Sequence, residues 1–173
     1  MAAVQGISSP IVGGTFALRE SRGFIGVSSG AGDKAAGYAG DVDAATAFEA
    51  LRKSPNAQLV DVRSDAEWSF VGVPDLAALG KEPLLVSWQT FPGMRPNEDF
   101  VRKVTGRVPA ADTPLYFLCR SGARSRAAAI AMTAAGYGQA FNVAGGFEGD
   151  LDDTRQRGKK GGWKATGLPW KQS

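Results

Sequence analysis

The sequence has no histidine and only one cysteine, Cys119, in 173 residues. Without an imidazole, the chain cannot form a cysteine–histidine protease site, a serine triad or a histidine-ligated zinc centre. A single cysteine also excludes an internal disulfide and a CxxC redox pair. Any chemistry at Cys119 must therefore use arginines, backbone amides and carboxylates. An intermediate on sulfur must stay on Cys119 or be resolved by an external thiol.

Long apolar runs are missing as well. No segment approaches the roughly 20 apolar residues that span a bilayer, and the N-terminus lacks the basic start and apolar core of a secretory signal. Residues 1–36 are rich in glycine, serine and alanine, and we predict that they form a poorly ordered arm. Residues 37–173 are enough for one domain. We predict a cytoplasmic protein without membrane contact.

Acidic residues are absent from the C-terminal end. From residue 154 onward all the charged side chains are basic: Arg155, Arg157, Lys159, Lys160, Lys164 and Lys171. The chain has 20 basic and 17 acidic residues, so without these six it would have 14 basic residues against 17 acidic ones. Such a basic run is more commonly a solvated surface loop. Binding of an anionic partner such as RNA is the less favoured interpretation.

The remaining sequence alternates helical patterns with short apolar runs. Asp43 is suited to cap a helix that ends at Lys53, before Pro55, and a shorter helix is expected near Ser64. Further helices are predicted over 97–105 and 125–135. The predicted strands are 58–62, 84–88, 115–118 and 140–143. Continuous apolar strands alternating with helices indicate a parallel sheet covered on both faces.

The lone cysteine follows the apolar run 115–118 and precedes an alanine-rich helix. A buried core cysteine is the ordinary alternative. However, Arg120, Gly122 and Arg124 follow it within five positions. Helix N-terminal amides and fixed positive charge favour a thiolate, which is a usable nucleophile. Ligands of parallel sheets bind beyond the carboxyl ends of the strands, and Cys119 lies at such an end.

Several segments together resemble the single-domain rhodanese-like family of sulfurtransferases. They are Leu59-Val60-Asp61-Val62-Arg63 with Glu67, the loop Cys119-Arg120-Ser121-Gly122-Ala123-Arg124-Ser125, Gly145-Gly146, and Trp163 with Gly167 and Pro169. The resemblance implies an α/β domain with a five-stranded, mostly parallel sheet and helices on both faces. It also implies that Cys119 takes sulfane sulfur from a donor such as thiosulfate and holds it as a persulfide, cradled by the amides of residues 120–125.

Charged residues around this loop have more than one interpretation. Arg120 and Arg124 are suited to bind the sulfonate oxygens of the donor, whereas Arg124 has the alternative of pairing with Asp61 or Glu67. Thiosulfate-using two-domain relatives carry an arginine where this chain has Glu67, and a carboxylate there is expected to repel thiosulfate.

Asp61 and Arg63 are also open to two interpretations. Asp61 either caps the following helix or, as the resemblance implies, lies beside the cysteine loop and holds it by hydrogen bonds. On the first interpretation Arg63 and Glu67 form an exposed i, i+4 pair.

The function that this pattern favours is sulfur transfer. Cys119 would accept sulfur from a small anionic donor and pass it to a thiol or cyanide, with no metal or cofactor. A cysteine phosphatase is disfavoured. Such enzymes have a Cys-x5-Arg pattern, with an arginine six positions after the nucleophile, and this chain has Ser125 at that position. The alternative is a persulfide carrier or regulatory module that serves a protein partner. The basic insertion, residues 148–162, is the candidate partner surface and is expected to be a loop or short helix near a sheet edge.

Overall fold

The computed structural model describes residues 37–172, and the predicted N-terminal arm lies outside them. Its main sheet has five strands, β1 (Gly40–Val42), β2 (Gln58–Asp61), β4 (Leu84–Leu85), β7 (Leu115–Leu118) and β8 (Ala140–Val143). All of them are parallel, and their order in the sheet is β1-β8-β7-β2-β4. The predicted fold class is confirmed, and β7, the strand that leads to Cys119, is the central one.

Helices cover both faces of this sheet, as predicted. The helices are α1 (Ala44–Lys53), α2 (Asp65–Val71), α3 (Phe100–Arg107), α4 (Ala123–Ala134) and α5 (Gly162–Ala165). Side chains of α3 and α4 pack in one core cluster, and those of α1 and α5 pack in another. Phe117 faces the first cluster and Leu118 the second, because successive side chains of a strand point to opposite faces. None of the helices within 37–172 is long and apolar enough to cross a membrane.

Two short antiparallel ribbons complete the fold. One pairs β3 (Val73–Pro74) with β9 (Trp170–Lys171), and the other pairs β5 (Gln89–Thr90) with β6 (Arg95–Pro96). The β5–β6 hairpin lies in the connection between β4 and α3. The predicted strand 84–88 is therefore limited to residues 84–85. The backbone amides of Val86 and Trp88 nevertheless donate to the carbonyl oxygens of Asp61 and Val62.

Local capping chemistry explains where the helices begin. Asp43 caps α1 as predicted, since its carboxylate accepts from the Thr46 amide at 2.7 Å. Ser64 and Glu67 form a reciprocal capping box at the start of α2. Helix α4 begins at Ala123, two residues earlier than predicted, because Gly122 adopts φ +107° and turns the chain directly into the helix.

The basic insertion has no helix or strand before α5 begins at Gly162. Its backbone is fixed beside the cysteine loop, since the Glu148 amide donates to Arg120 O and the Gly158 amide donates to Glu148 O. The insertion is therefore a loop, as expected. It follows β8, the neighbour of the edge strand β1, and starts against the residue that follows Cys119.

Candidate active site

Cys119 follows the central strand and is buried, with 1% of its surface exposed. Its Sγ accepts a hydrogen bond from the Gly122 amide at 3.1 Å, and the Ser125 hydroxyl lies 3.2 Å from it. The first amides of a helix have no intrahelical acceptor, so the N-terminus of α4 offers further N–H groups to the same loop. The sulfur thus lies in a turn with hydrogen-bond donors and the positive end of a helix dipole.

The two glycines that follow β8 form the support beneath this loop. The Phe147 amide donates to Cys119 O at 2.7 Å, which fixes the backbone of the nucleophile. Gly146 has φ +60°, and a Cβ at this position would lie 2.4 Å from Cys119 O. Only glycine permits this approach of two backbones, which gives the Gly145-Gly146 pair of the sequence a structural reason.

A hydrogen-bond chain from Asp41 through Asn142 and Ser125 reaches the sulfur, and it is buried at Asn142 and Ser125. The Ser125 hydroxyl lies 2.6 Å from Asn142 Oδ1, and Asn142 Nδ2 donates to Asp41 at 2.8 Å. Because a carboxylate only accepts, this contact orients the Asn142 amide so that its oxygen faces Ser125. The Ser125 hydroxyl has one hydrogen, for which Asn142 Oδ1, Gly122 O and Cys119 Sγ compete, at 2.6, 3.1 and 3.2 Å from its oxygen. The sequence analysis missed Asn142, although a polar residue in the apolar strand β8 was a visible signal.

Glu67 and Arg124 form an ion pair at the edge of the loop. The two guanidinium NH groups donate to the two carboxylate oxygens at 2.7 and 2.6 Å, and the side chains are only 19% and 16% exposed. Burial raises the pKa of Glu67, but the hydrogen bonds from Arg124 and from the Ser64 amide outweigh it and lower this pKa to about 2. Of the two interpretations of Arg124, the pairing with Glu67 is therefore the observed one. The charge of Glu67 is compensated by Arg124, so the expected repulsion of thiosulfate is weakened.

Asp61 and Arg63 form a second, fully buried pair. The Arg63 guanidinium donates to both Asp61 carboxylate oxygens, with a shortest distance of 2.6 Å, and also to Gly72 O at 2.7 Å. It lies 4.0 Å above the Phe147 ring.

This arrangement corrects two expectations. Within residues 37–172 the hydrogen bonds of the Asp61 side chain all go to Arg63, so Asp61 does not hold the cysteine loop directly. Arg63 is not the exposed partner of Glu67. It supports the loop through Phe147, whose amide binds Cys119 O.

Cys119 lies in a cavity of about 790 Å³. The cavity is bordered by the cysteine loop, helix α2, the β5–β6 hairpin and the basic insertion. Of the loop residues 120–125, the cavity lining includes Arg120, Ser121, Ala123 and Arg124 but neither Gly122 nor Ser125, and Glu67 also lines it. Four polar or charged lining residues were not predicted to belong to the site: Ser64, Gln89, Glu148 and Arg157. No sequence pattern places Arg157 there, because its position depends on how the insertion folds back over the loop.

The fold and the cysteine loop define the class of protein. A five-stranded parallel sheet with a cysteine between its central strand and a helix N-terminus is the arrangement of a rhodanese-like domain. A sequence model of the family described as the STR4 middle domain matches residues 39–173, and the chain belongs to this rhodanese-like family. Sulfur transfer is the chemistry of rhodanese-like proteins at the level of the family.

Individual proteins are also similar to this chain. An uncharacterized protein of Rickettsia rickettsii is 39% identical over 124 residues, which cover 72% of this chain and 90% of the relative. The Protein THYLAKOID RHODANESE-LIKE, chloroplastic, of Oryza sativa subsp. indica is 33% identical over 132 residues, or 76% of this chain and 25% of that protein. The crystal structure of Rv0390 from M. tuberculosis superposes with a TM-score of 0.73 at 49% identity, covering 79% of this chain and 99% of that one.

Proposed function

We propose that this protein is a sulfurtransferase that accepts sulfane sulfur on Cys119 as a persulfide and passes it to a thiophilic acceptor. The observation that carries the proposal is the position of Cys119, which lines the 790 Å³ cavity and whose Sγ accepts a hydrogen bond from the Gly122 amide at 3.1 Å. A sulfur atom in this position borders the space that a small substrate would occupy and is surrounded by groups that stabilise negative charge.

In the first half-reaction the Cys119 thiolate attacks the outer sulfur of a thiosulfate-like donor. A new S–S bond forms, the bond between the outer sulfur and the sulfonate breaks, and sulfite leaves with the electron pair. The terminal persulfide sulfur then carries the negative charge. The amides of the loop and of the first turn of α4 are the donors available to stabilise it, and the Ser125 hydroxyl is the nearest side-chain donor to Cys119.

Positive charge for an anionic donor comes from Arg120 and Arg157 in this proposal. Both line the cavity, and neither takes part in an ion pair found within residues 37–172. Arg124, by contrast, is already bound on two nitrogens by Glu67. The donor-binding role expected for Arg124 therefore passes to Arg157, with Arg120 retained.

In the second half-reaction a thiol or cyanide attacks the terminal sulfur, and the Cys119 thiolate leaves with the electron pair of the S–S bond. The acceptor reaches the sulfur through the same cavity. The basic insertion borders this opening through Arg157, so a protein acceptor that docks there would contact the insertion. With a protein acceptor the chemistry on Cys119 would be the same, and only the identity of the acceptor would differ.

A thiosulfate:cyanide assay with the wild type and Cys119→Ser tests the proposal. Wild-type protein should form thiocyanate, and the serine variant should form none, because serine preserves the shape of the loop but cannot form a persulfide. Equal activity of the two proteins would refute the proposal. A wild type that takes up one sulfur atom but turns over poorly with cyanide would instead identify a carrier that serves a protein partner.

A further inference from the structure

The mouth of the cavity has an unusual concentration of exposed apolar side chains. Six large hydrophobic residues within 37–172 are exposed, and three of them, Phe70, Phe91 and Met94, line the cavity of Cys119. Their exposed fractions are 79%, 59% and 40%. We call these three residues the apolar rim. Clustered exposed apolar surface in a cavity is typical of a ligand-binding site, whereas single exposed apolar residues are ordinary.

The rim belongs to two separate parts of the fold. Phe70 is in the last turn of α2, and Phe91 and Met94 are in the turn of the β5–β6 hairpin. Both elements also provide polar residues to the cavity, Glu67 from α2 and Gln89 from the hairpin. Because neither the core clusters nor the sheet uses the rim side chains, folding alone gives no reason for their apolar character.

The size of the cavity also indicates a ligand larger than thiosulfate. Pockets that bind small organic ligands have volumes of roughly 300 to 1,000 Å³, and this one has about 790 Å³. Thiosulfate is only a few atoms across and would leave most of this space to water. The cavity is also amphipathic, with arginines beside Cys119 and apolar side chains at the mouth. Its shape and charge therefore fit an amphipathic molecule better than a bare inorganic anion.

We propose that the natural sulfur donor is a small organic anion, with its sulfane sulfur on a charged head and an apolar substituent that contacts Phe70, Phe91 and Met94. This inference rests on the proposed sulfur transfer and deepens it. The anionic head lies near Arg120 and Arg157, and the apolar group packs on the rim. Burial of the substituent removes apolar surface from water on both sides, which favours the organic donor over thiosulfate.

Two thiosulfonates with the same reacting head test the inference. Sodium benzenethiosulfonate carries a phenyl ring and sodium methanethiosulfonate carries a methyl group. With either compound the Cys119 thiolate attacks the outer sulfur, the bond from that sulfur to the sulfonyl sulfur breaks, and the corresponding sulfinate leaves with the electron pair. Cyanide then removes the sulfur as thiocyanate. The measured quantity is the ratio of kcat/KM for the phenyl donor to kcat/KM for the methyl donor.

The wild type should prefer the phenyl donor by at least fivefold, about 1 kcal/mol. Phe70→Ser, Phe91→Ser and Met94→Ser should each lower this ratio, and Phe70→Ser combined with Phe91→Ser should lower it at least fivefold. Ile130→Ser is the matched control, because Ile130 is 39% exposed on α4 and lies outside the cavity lining. That variant should keep the wild-type ratio.

The outcomes separate the two proposals. If both donors persulfidate Cys119 and the wild type does not discriminate between them, or if the rim variants keep the wild-type ratio, the donor assignment is wrong and sulfur transfer stands. If neither thiosulfonate persulfidates Cys119 but thiosulfate does, the donor assignment is wrong and sulfur transfer stands. If thiosulfate fails as well, both proposals are wrong. A loss of the ratio in Ile130→Ser as large as in the rim variants would also overturn the assignment, since it would show a general effect of losing surface apolar groups.

Discussion

Replacement of Glu67 by glutamine tests the ion pair that connects α2 to the cysteine loop. Glutamine keeps the length of the side chain, and its amide oxygen can still accept from the Ser64 amide, so the capping box is largely preserved. The negative charge is lost, and the Arg124 guanidinium, which is 16% exposed, no longer has its carboxylate partner. Glu148→Gln is the matched control, since Glu148 lines the same cavity but forms no ion pair within residues 37–172.

The magnitude follows from the titration of Glu67. Burial raises its pKa, but the hydrogen bonds from Arg124 and Ser64 and the charge of Arg124 outweigh this and lower it from 4.5 to about 2. At about 1.4 kcal/mol per pKa unit this corresponds to roughly 3 kcal/mol, which partial solvent exposure reduces to about 2 kcal/mol. The folded-state pKa is the lower one, so this stabilisation is present above pH 4.5 and is lost as the pH falls from 4.5 towards 2.

Urea unfolding at pH 7 and near pH 3 measures this effect. At pH 7 we expect Glu67→Gln to lower the free energy of unfolding by about 2 kcal/mol, and Glu148→Gln to lower it by less than about 0.5 kcal/mol. Near pH 3 the difference between Glu67→Gln and the wild type should shrink, because the Glu67 carboxyl of the unfolded chain is then largely protonated, while the folded one is still mostly ionised. A difference that stays the same at both pH values would refute the assignment of the stabilisation to the charge of Glu67.

Three further variants test the loop, its support and the cavity. Gly146→Ala should lower the free energy of unfolding by about 1 to 3 kcal/mol more than Gly80→Ala. Both glycines have positive φ, but only a Cβ at Gly146 would meet the backbone of Cys119. Equal losses of stability in thermal melts of the two variants would contradict the close approach. Arg157→Ala should raise the KM for thiosulfate about threefold to tenfold with little change in kcat, through lost attraction of the anion, and an unchanged KM would remove Arg157 from donor binding. Ser125→Ala should slow persulfide formation about tenfold, the effect expected for one hydrogen bond to a charged sulfur. Ser125→Thr keeps the hydroxyl and should retain most of the rate. If the two variants have the same rate in single-turnover kinetics, the hydroxyl is not used.

The sequence was most informative where structure depends on local patterns. The helix that Asp43 caps and the strands 115–118 and 140–143 have the predicted limits, because capping and apolar runs act over a few neighbouring residues. The position of Cys119 between strand and helix follows from the same signals. Strand β1 was missed because Gly40-Asp41-Val42 has no apolar run, and it becomes a strand only by pairing with β8.

The cavity was less predictable, because its residues come from distant parts of the chain. Arg124 is bound by Glu67, which lies 57 residues away, and the Asn142–Asp41 contact spans 101 residues. Neither pair has a spacing that a helix or strand period could reveal. The same holds for Arg157, whose position depends on backbone hydrogen bonds between the basic insertion and the cysteine loop. Charge identified these residues as candidates, but only tertiary packing decides their partners.

Intact-protein mass spectrometry tests the central claim most directly. Reduced protein would be incubated with thiosulfate, desalted and weighed, and then treated with cyanide and weighed again. Wild-type protein should gain the mass of one sulfur atom and lose it on addition of cyanide, whereas Cys119→Ser should gain nothing. A wild type that gains no mass with either thiosulfate or benzenethiosulfonate, or a Cys119→Ser variant that gains the same mass as the wild type, would contradict sulfur transfer through Cys119.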